Sequence, residues 1–189
     1  RVTTFPKGTL ASPEVSVAQL GDRVLVNYAN LDASVQASTG LYISDGTGPT
    51  TSLLKAGVFW NVTSAGDMAY FTTRNSTQTE QLGITDGTVA GTRIHFSASQ
   101  VGGTIGANRQ VGHGGVLFLT GPIDGGQSQL WMSDGTVAGT HALSTFANAD
   151  GALVDQEPIA ILDERPLVVF AHNSYGEEPY IVRNAPPQS

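Results

Sequence analysis

Three aspartates stand in one local context: Ser44-Asp45-Gly46-Thr47, Thr85-Asp86-Gly87-Thr88 and Ser133-Asp134-Gly135-Thr136. Carboxylate and hydroxyl oxygens at this spacing suit two kinds of chemistry. They ligate calcium, a hard cation that takes about six to eight oxygens, or they accept backbone N–H bonds and fold a turn. One aspartate per turn supplies too few ligands for a site in every repeat. The turn reading therefore leads, with Asp45, Gly46, Asp86, Gly87, Asp134 and Gly135 as architecture. Calcium at Asp45, Asp86 or Asp134 is the weaker alternative, as is an adventitious or channel-bound cation, and no cofactor is expected.

The remaining reactive side chains form no pattern that implies catalysis. His95, His113, His141 and His172 lack the spacing of a metal site, and the chain has no cysteine. Asp163-Glu164 and Glu177-Glu178 are adjacent pairs of the kind found in solvated loops, and no nucleophile elbow G-x-S-x-G occurs. Gly102-Gly103-Thr104-Ile105-Gly106 lacks the spacing of a phosphate loop. An enzyme is not the leading expectation. A ligand-binding role rests on side chains outside the repeats: Trp60 and Asn61, which could line one mouth of a ring, with Asn30, Arg74, Asp124, His172 and Tyr175 in or beside the variable loops.

Net charge is −7 and there are only nine Lys and Arg in 189 residues, with no basic cluster. A nucleic-acid footprint needs a positive patch, so that class is disfavoured and no nucleic-acid partner is expected. No run approaches the ~18 apolar residues of a membrane-spanning helix, so membrane insertion is not expected. The chain opens at Arg1 without a signal-peptide pattern, which reads as part of a longer or processed precursor.

The elements that must position these residues are strands. Short apolar runs punctuated by Gly, Asp and Asn recur, and helical periodicity is absent. The nearly continuous runs Val24–Tyr28, Met68–Thr72, Val116–Leu119 and Leu167–Phe170 suit strands covered on both faces. Each precedes a motif strand. Candidate first strands lie at 14–20, 58–64, 105–112 and 157–162, and candidate outer strands at 51–56, 92–98 and 140–146. Asp45, Asp86 and Asp134 recur at intervals of 41 and 48 residues, the scale of a propeller blade.

These spacings predict an all-β protein, a β-propeller of four blades with four antiparallel strands each. Blade 1 spans about 14–56, blade 2 about 58–98, blade 3 about 105–146 and blade 4 about 157–183. The fourth lacks an outer strand, while Val2-Thr3-Thr4-Phe5 is a spare strand in phase with the repeats. It is expected to close the ring as that missing strand, with Phe5 in the part played by Phe96 and Phe146. Two alternatives are half of an eight-bladed propeller completed by a second copy or by flanking sequence, and an open solenoid. Tyr42, Trp131 and Tyr180 share one repeat position and are expected to pack between blades.

The stretches Gln81-Leu82-Gly83-Ile84-Thr85-Asp86-Gly87-Thr88-Val89-Ala90-Gly91-Thr92 and Gln129-Leu130-Trp131-Met132-Ser133-Asp134-Gly135-Thr136-Val137-Ala138-Gly139-Thr140 resemble the ELWxxDGT repeat family. Gln129 replaces its Glu, Gly83 replaces its Trp, and the first repeat breaks at Gly48-Pro49. The resemblance implies a bacterial secreted or cell-surface repeat protein with no assigned general activity. A weaker likeness is to the Asp-box turn of sialidase-type propellers, which is architectural. The resulting expectation is a non-catalytic binding or scaffolding module, monomer or homodimer, that recognises a protein or glycan through loops on one face. A glycan-active hydrolase or lyase at the channel mouth and a self-associating structural repeat are the alternatives.

Overall fold

The computed structural model describes residue 5 and residues 14–30, 38–98, 109–122, 128–143, 151–153, 160–172 and 176–182. It is all β, in four antiparallel sheets of four strands each. The first sheet is β1 (Glu14–Leu20), β2 (Arg23–Ala29), β3 (Gly40–Ser44) and β4 (Ser52–Ala56) in chain order. The second repeats that order with β5 (Trp60–Ala65), β6 (Met68–Arg74), β7 (Glu80–Thr85) and β8 (Arg93–Ser97). The third is β9 (Arg109–His113), β10 (Val116–Pro122), β11 (Ser128–Ser133) and the two-residue β12 (His141–Ala142).

The fourth sheet departs from the expected plan. Its first strand comes in two pieces, β13 (Gly151–Leu153) and β14 (Ala160–Leu162), and both pair with β15 (Arg165–His172). β16 (Gly176–Ile181) pairs with β15 in the register of the motif strand. The expected closing strand at residues 2–4 lies outside the described residues, as do residues 144–146 of the expected outer strand, Phe146 among them. Phe5 is described: its ring stacks on Tyr28 at 4.4 Å between centroids and meets Tyr42 edge-on at 5.0 Å.

Strand pairing explains how the sheets pack. The register sets Val24, Ala69 and Leu117 at one repeat position, and Leu25, Tyr70 and Phe118 at the next. Neighbouring side chains on a strand point to opposite faces, so each sheet has a back and a front. Leu20, Leu25, Leu41 and Ile43 on the back of the first sheet pack with Ala69 and Phe71 on the front of the second. Tyr70, Leu82, Ile84 and Phe96 then meet Leu117, Leu119 and Trp131 of the third. Phe118, Leu130 and Met132 meet Val168 of the fourth. Covering by a sheet on both faces accounts for the continuous apolar β6 and β10.

Trp131 sits between sheets as its repeat position suggested, 5% exposed. Its counterpart Gly83 leaves that space to a neighbour on its own sheet. A Cβ at Gly83 would lie 2.2 Å from the Phe71 ring, so that ring fills the place of the missing Trp. Among the described residues no helix is long and apolar enough to cross a membrane.

Candidate functional site

Strand order gives each sheet two unlike ends. At one end lie the β1–β2 and β3–β4 turns and their repeats; at the other lie the β2–β3 loops and the links between sheets. All three Asp-Gly-Thr turns are at the first end. Asp86 Oδ1 accepts the Thr88 backbone N–H at 2.8 Å and the Thr88 hydroxyl at 2.7 Å. Asp134 does the same with Thr136 at 2.9 and 2.7 Å. Asp45 binds Thr47 likewise and adds the Thr50 hydroxyl, supplied by a 3-10 turn over Gly48–Thr50.

The rest of the motif completes the turn. The hydroxyls of Ser44, Thr85 and Ser133 accept from the turn glycine N–H at 3.0 to 3.2 Å. Thr92 donates to the Thr88 carbonyl at 2.6 Å, and Thr140 to that of Thr136 at 2.6 Å. Gly46, Gly87 and Gly135 take φ of 95°, 82° and 82°, the left-handed region that costs glycine least. Hydrogen bonds from Thr88 hold the Asp86 carboxyl below its ordinary value. At Asp134 burial works against ionisation, but the Thr136 bonds outweigh it and the value is again lowered. The Oδ1 atom of each aspartate is spent on the turn. Among the described residues no three His, Asp or Glu side chains converge as a metal site.

His95 lies between the second and third sheets, where a bulge in β8 throws it across the gap. Its Nε2 is 3.0 Å from Ser133 Oγ, and Nδ1 is buried without a partner. Burial, with Arg93 nearby, pushes its pKa down to about 4. The neutral ring and the Ser133 hydroxyl resemble a nucleophile pair in composition alone. Ser133 is fully buried and already engaged by Thr140 and Gly135, so no substrate reaches it.

The opposite end holds an open cleft of about 640 Å³, lined by Lys55, Val58, Trp60, Arg74, Gln78 and Gln81 among others. Trp60 starts β5 and pairs with Thr72. Arg74 lies two residues further along β6 and so faces the same side. Its guanidinium carbon is 5.8 Å from the Trp60 ring centroid, a cation–π contact. Arg74 also pairs with Glu80 at 3.1 Å. The β6–β7 loop is tied down by Asn75, whose Oδ1 accepts from the Thr77 N–H at 3.0 Å and the Thr79 N–H at 2.9 Å. The result is a half-buried indole framed by cationic and amide groups on a fixed loop.

Of the residues chosen from sequence, the structure brings Trp60 and Arg74 together in this cleft. Asn61 sits beside them at a bulge with φ of 50° and donates to Thr72 Oγ1 at 3.4 Å. Asn30 is elsewhere and buried: its amide donates to the Tyr28 hydroxyl at 3.1 Å, and it clasps Thr39. His172 falls in β15, opposite Gly176. Asp124 and Tyr175 lie outside the described residues. Sequence reasoning missed Lys55, Gln78 and Gln81. Gln78 fell within a loop marked as variable, whereas Lys55 arrives from the preceding sheet and carried no signal.

No protein-family model matches the chain, and no curated protein matches it. Among solved structures it is similar to an acylaminoacyl peptidase from Pyrococcus horikoshii, with TM-score 0.59 and 14% identity over 89% of this chain and 26% of that one. It is also similar to the β-propeller domain of the Trilobed protease from Pyrococcus furiosus, with TM-score 0.62 and 14% identity over 93% of this chain and 55% of that one. The chain thus spans about a quarter and about half of those two lengths. At this identity the likeness carries fold and no activity: the four sheets are built as blades of a β-propeller.

Proposed function

We propose that this chain is a non-catalytic recognition module of a secreted or cell-surface protein, and that the Trp60–Arg74 cleft takes a glycan. The observation that carries this reading is the half-buried Trp60 ring in an open cleft with Arg74 beside it. An indole offers a flat apolar surface for the C–H face of a sugar, and guanidinium and amide groups fit its hydroxyls. The resemblance to ELWxxDGT repeats supports the extracellular setting. The four sheets are read as consecutive blades of a ring.

The test is a glycan array with the 189-residue chain, followed by a titration of the best glycan read by tryptophan fluorescence. Saturable binding that is lost in Trp60→Ala supports the reading. Binding unaffected by Trp60→Ala moves the site elsewhere. Shortening of the bound glycan during incubation would establish the hydrolase or lyase instead, and no binding to any glycan would remove the ligand class.

A further inference from the structure

The described exposed large apolar side chains sort by place. Val89 and Val137 are in turns; the others are Val15, Val17, Val24 and Leu53 on the first sheet and Leu162 and Ile181 on the fourth. By register the first group lies on the front of the first blade, a face on which no other sheet packs among the described residues. Phe5 covers Tyr28 and Tyr42 there and leaves those four open. Leu162 and Ile181 lie on the back of the fourth blade, a face on which no other sheet packs among the described residues.

These faces are the two halves of an interface the chain already makes. Pairing of Leu20 with Arg23 matches pairing of Leu162 with Arg165, and Leu25 with Ile43 matches Leu167 with Ile181. In the first blade Leu20 and Ile43 are 3% and 5% exposed against the second blade, while Leu162 and Ile181 are 47% and 41% exposed. The turn glycines show the other half. A Cβ at Gly87 would meet Arg23 and Leu20 at 2.6 and 2.9 Å, and one at Gly135 would meet Ile84 at 2.2 Å. At Gly46 it would meet nothing within 4 Å. Arg23 donates to the Gly87 carbonyl at 3.3 Å; its counterpart Arg165 is exposed, and so is the Asp45-Gly46-Thr47 turn.

We propose that two copies of this chain join head to tail. The back of the fourth blade of each seats on the front of the first blade of the other, closing a ring of eight blades. Leu162 and Ile181 enter the face formed by Val17, Val24 and Leu53, and Arg165 caps the carbonyls of the partner copy's Asp45-Gly46-Thr47 turn. Among the described residues both faces stand open in one and the same chain, with Val17, Leu162 and Ile181 exposed. A second copy supplies both missing surfaces at once, and an eight-bladed ring is within the usual range. Because the closed pair has two-fold symmetry, the same back-to-front contact forms twice, and each copy carries one half of each.

Sedimentation equilibrium of the wild-type chain is the first measurement, with an expected mass twice the 19.7 kDa of one chain. Leu162→Asp/Arg165→Glu on the back and Val17→Lys/Val24→Lys on the front are then made separately. All four positions except Val24 are well exposed in the single chain, so circular dichroism should be unchanged. Each variant alone should be monomeric, with association weakened roughly thirtyfold or more. Mixed together, the two should regain a pair, since the intact back of one meets the intact front of the other. Val89→Lys should leave the wild-type pair unchanged.

A wild-type monomer at hundreds of micromolar would overturn the proposal, whether the faces are covered within the chain or by flanking blades of a longer protein. Masses that climb beyond two copies would overturn the closed ring. A pair that survives both variants would place the contact elsewhere.

Discussion

The two ends of each blade are built by opposite rules. At the turn end, Ser or Thr, Asp, Gly and Thr recur in the same places and satisfy one another: Asp86 serves Thr88, Thr92 serves Thr85, and Asp134 and Thr140 repeat the pattern. At the loop end the second blade presents a cleft, and Trp60 and Arg74 in its lining stand outside the repeated motif. A repeated network whose Oδ1 and hydroxyl oxygens hold one another is committed to the turn. Irregular loops on a rigid frame leave groups free for a ligand. Substitutions at the turn end should therefore cost stability and spare recognition, and those at the loop end should do the reverse.

The largest effect is expected at the turn end. Thr92→Val keeps shape but deletes a buried hydroxyl that joins the Thr88 carbonyl and Thr85. A buried hydrogen bond lost with one partner left behind costs about 1–3 kcal/mol. A drop of that size in urea-melt stability, with glycan affinity unchanged, keeps the two ends separate. Lost affinity would show that they are coupled. Trp60→Ala is the converse. It should weaken binding about tenfold or more, equivalent to about 1.4 kcal/mol, while thermal stability moves less than in Thr92→Val.

A third, smaller effect is confined to the turn end and depends on pH. His95 is held neutral in the fold, with a pKa near 4 against an ordinary 6.5. The unfolded chain takes up the proton first as pH falls, so folding loses stability from about 6.5 down to about 4. Partial solvent access trims the effect to about 1 kcal/mol at pH 5 relative to pH 7.5. The carboxyls of Asp86 and Asp134 act in a separate window: their lowered values mean that their contribution is lost only below the ordinary carboxylate range. Leu54 occupies the matching bulge in the first blade and is buried. His95→Leu should therefore fold and flatten the melt profile between pH 5 and 7.5. A slope that persists assigns the titration to another group.

The contrast also shows what sequence makes legible. β2, β6, β10 and the Asp-Gly-Thr turns follow from local chemistry, since a continuous apolar run or an Asp-Gly pair carries its own reason. The break in the first strand of the fourth sheet does not: Gly151-Ala152-Leu153 has no β-branched residue, and its pairing with β15 recruits it. The Trp60–Arg74 contact was hidden for a similar reason. The bulge between Trp60 and Thr63 shifts the register, so counting residues along the hairpin misplaces one strand against the other. Lys55 reaches the same cleft from the preceding blade, a tertiary neighbour that no local pattern announces. Asn30 failed the other way: a loop asparagine looked available, yet Thr39 and Tyr28 hold it inside.

The smallest expected change is also the sharpest test of the loop end. Arg74 has two partners, the Trp60 ring and Glu80, and its side chain is about half exposed. An ion pair so open to water contributes about 0.5 kcal/mol or less, so Arg74→Gln should barely move the melting curve. Arg74→Lys keeps the charge near Glu80 but loses the flat guanidinium that lies against the indole. If the plane of Arg74 frames the ligand, both variants should weaken glycan binding several-fold, with Lys no better than Gln. If Arg74 contributes only its charge, Lys should restore affinity and Gln should not. Recovery by Lys would recast the cleft as an electrostatic site for an acidic ligand, with Lys55 as its second cation.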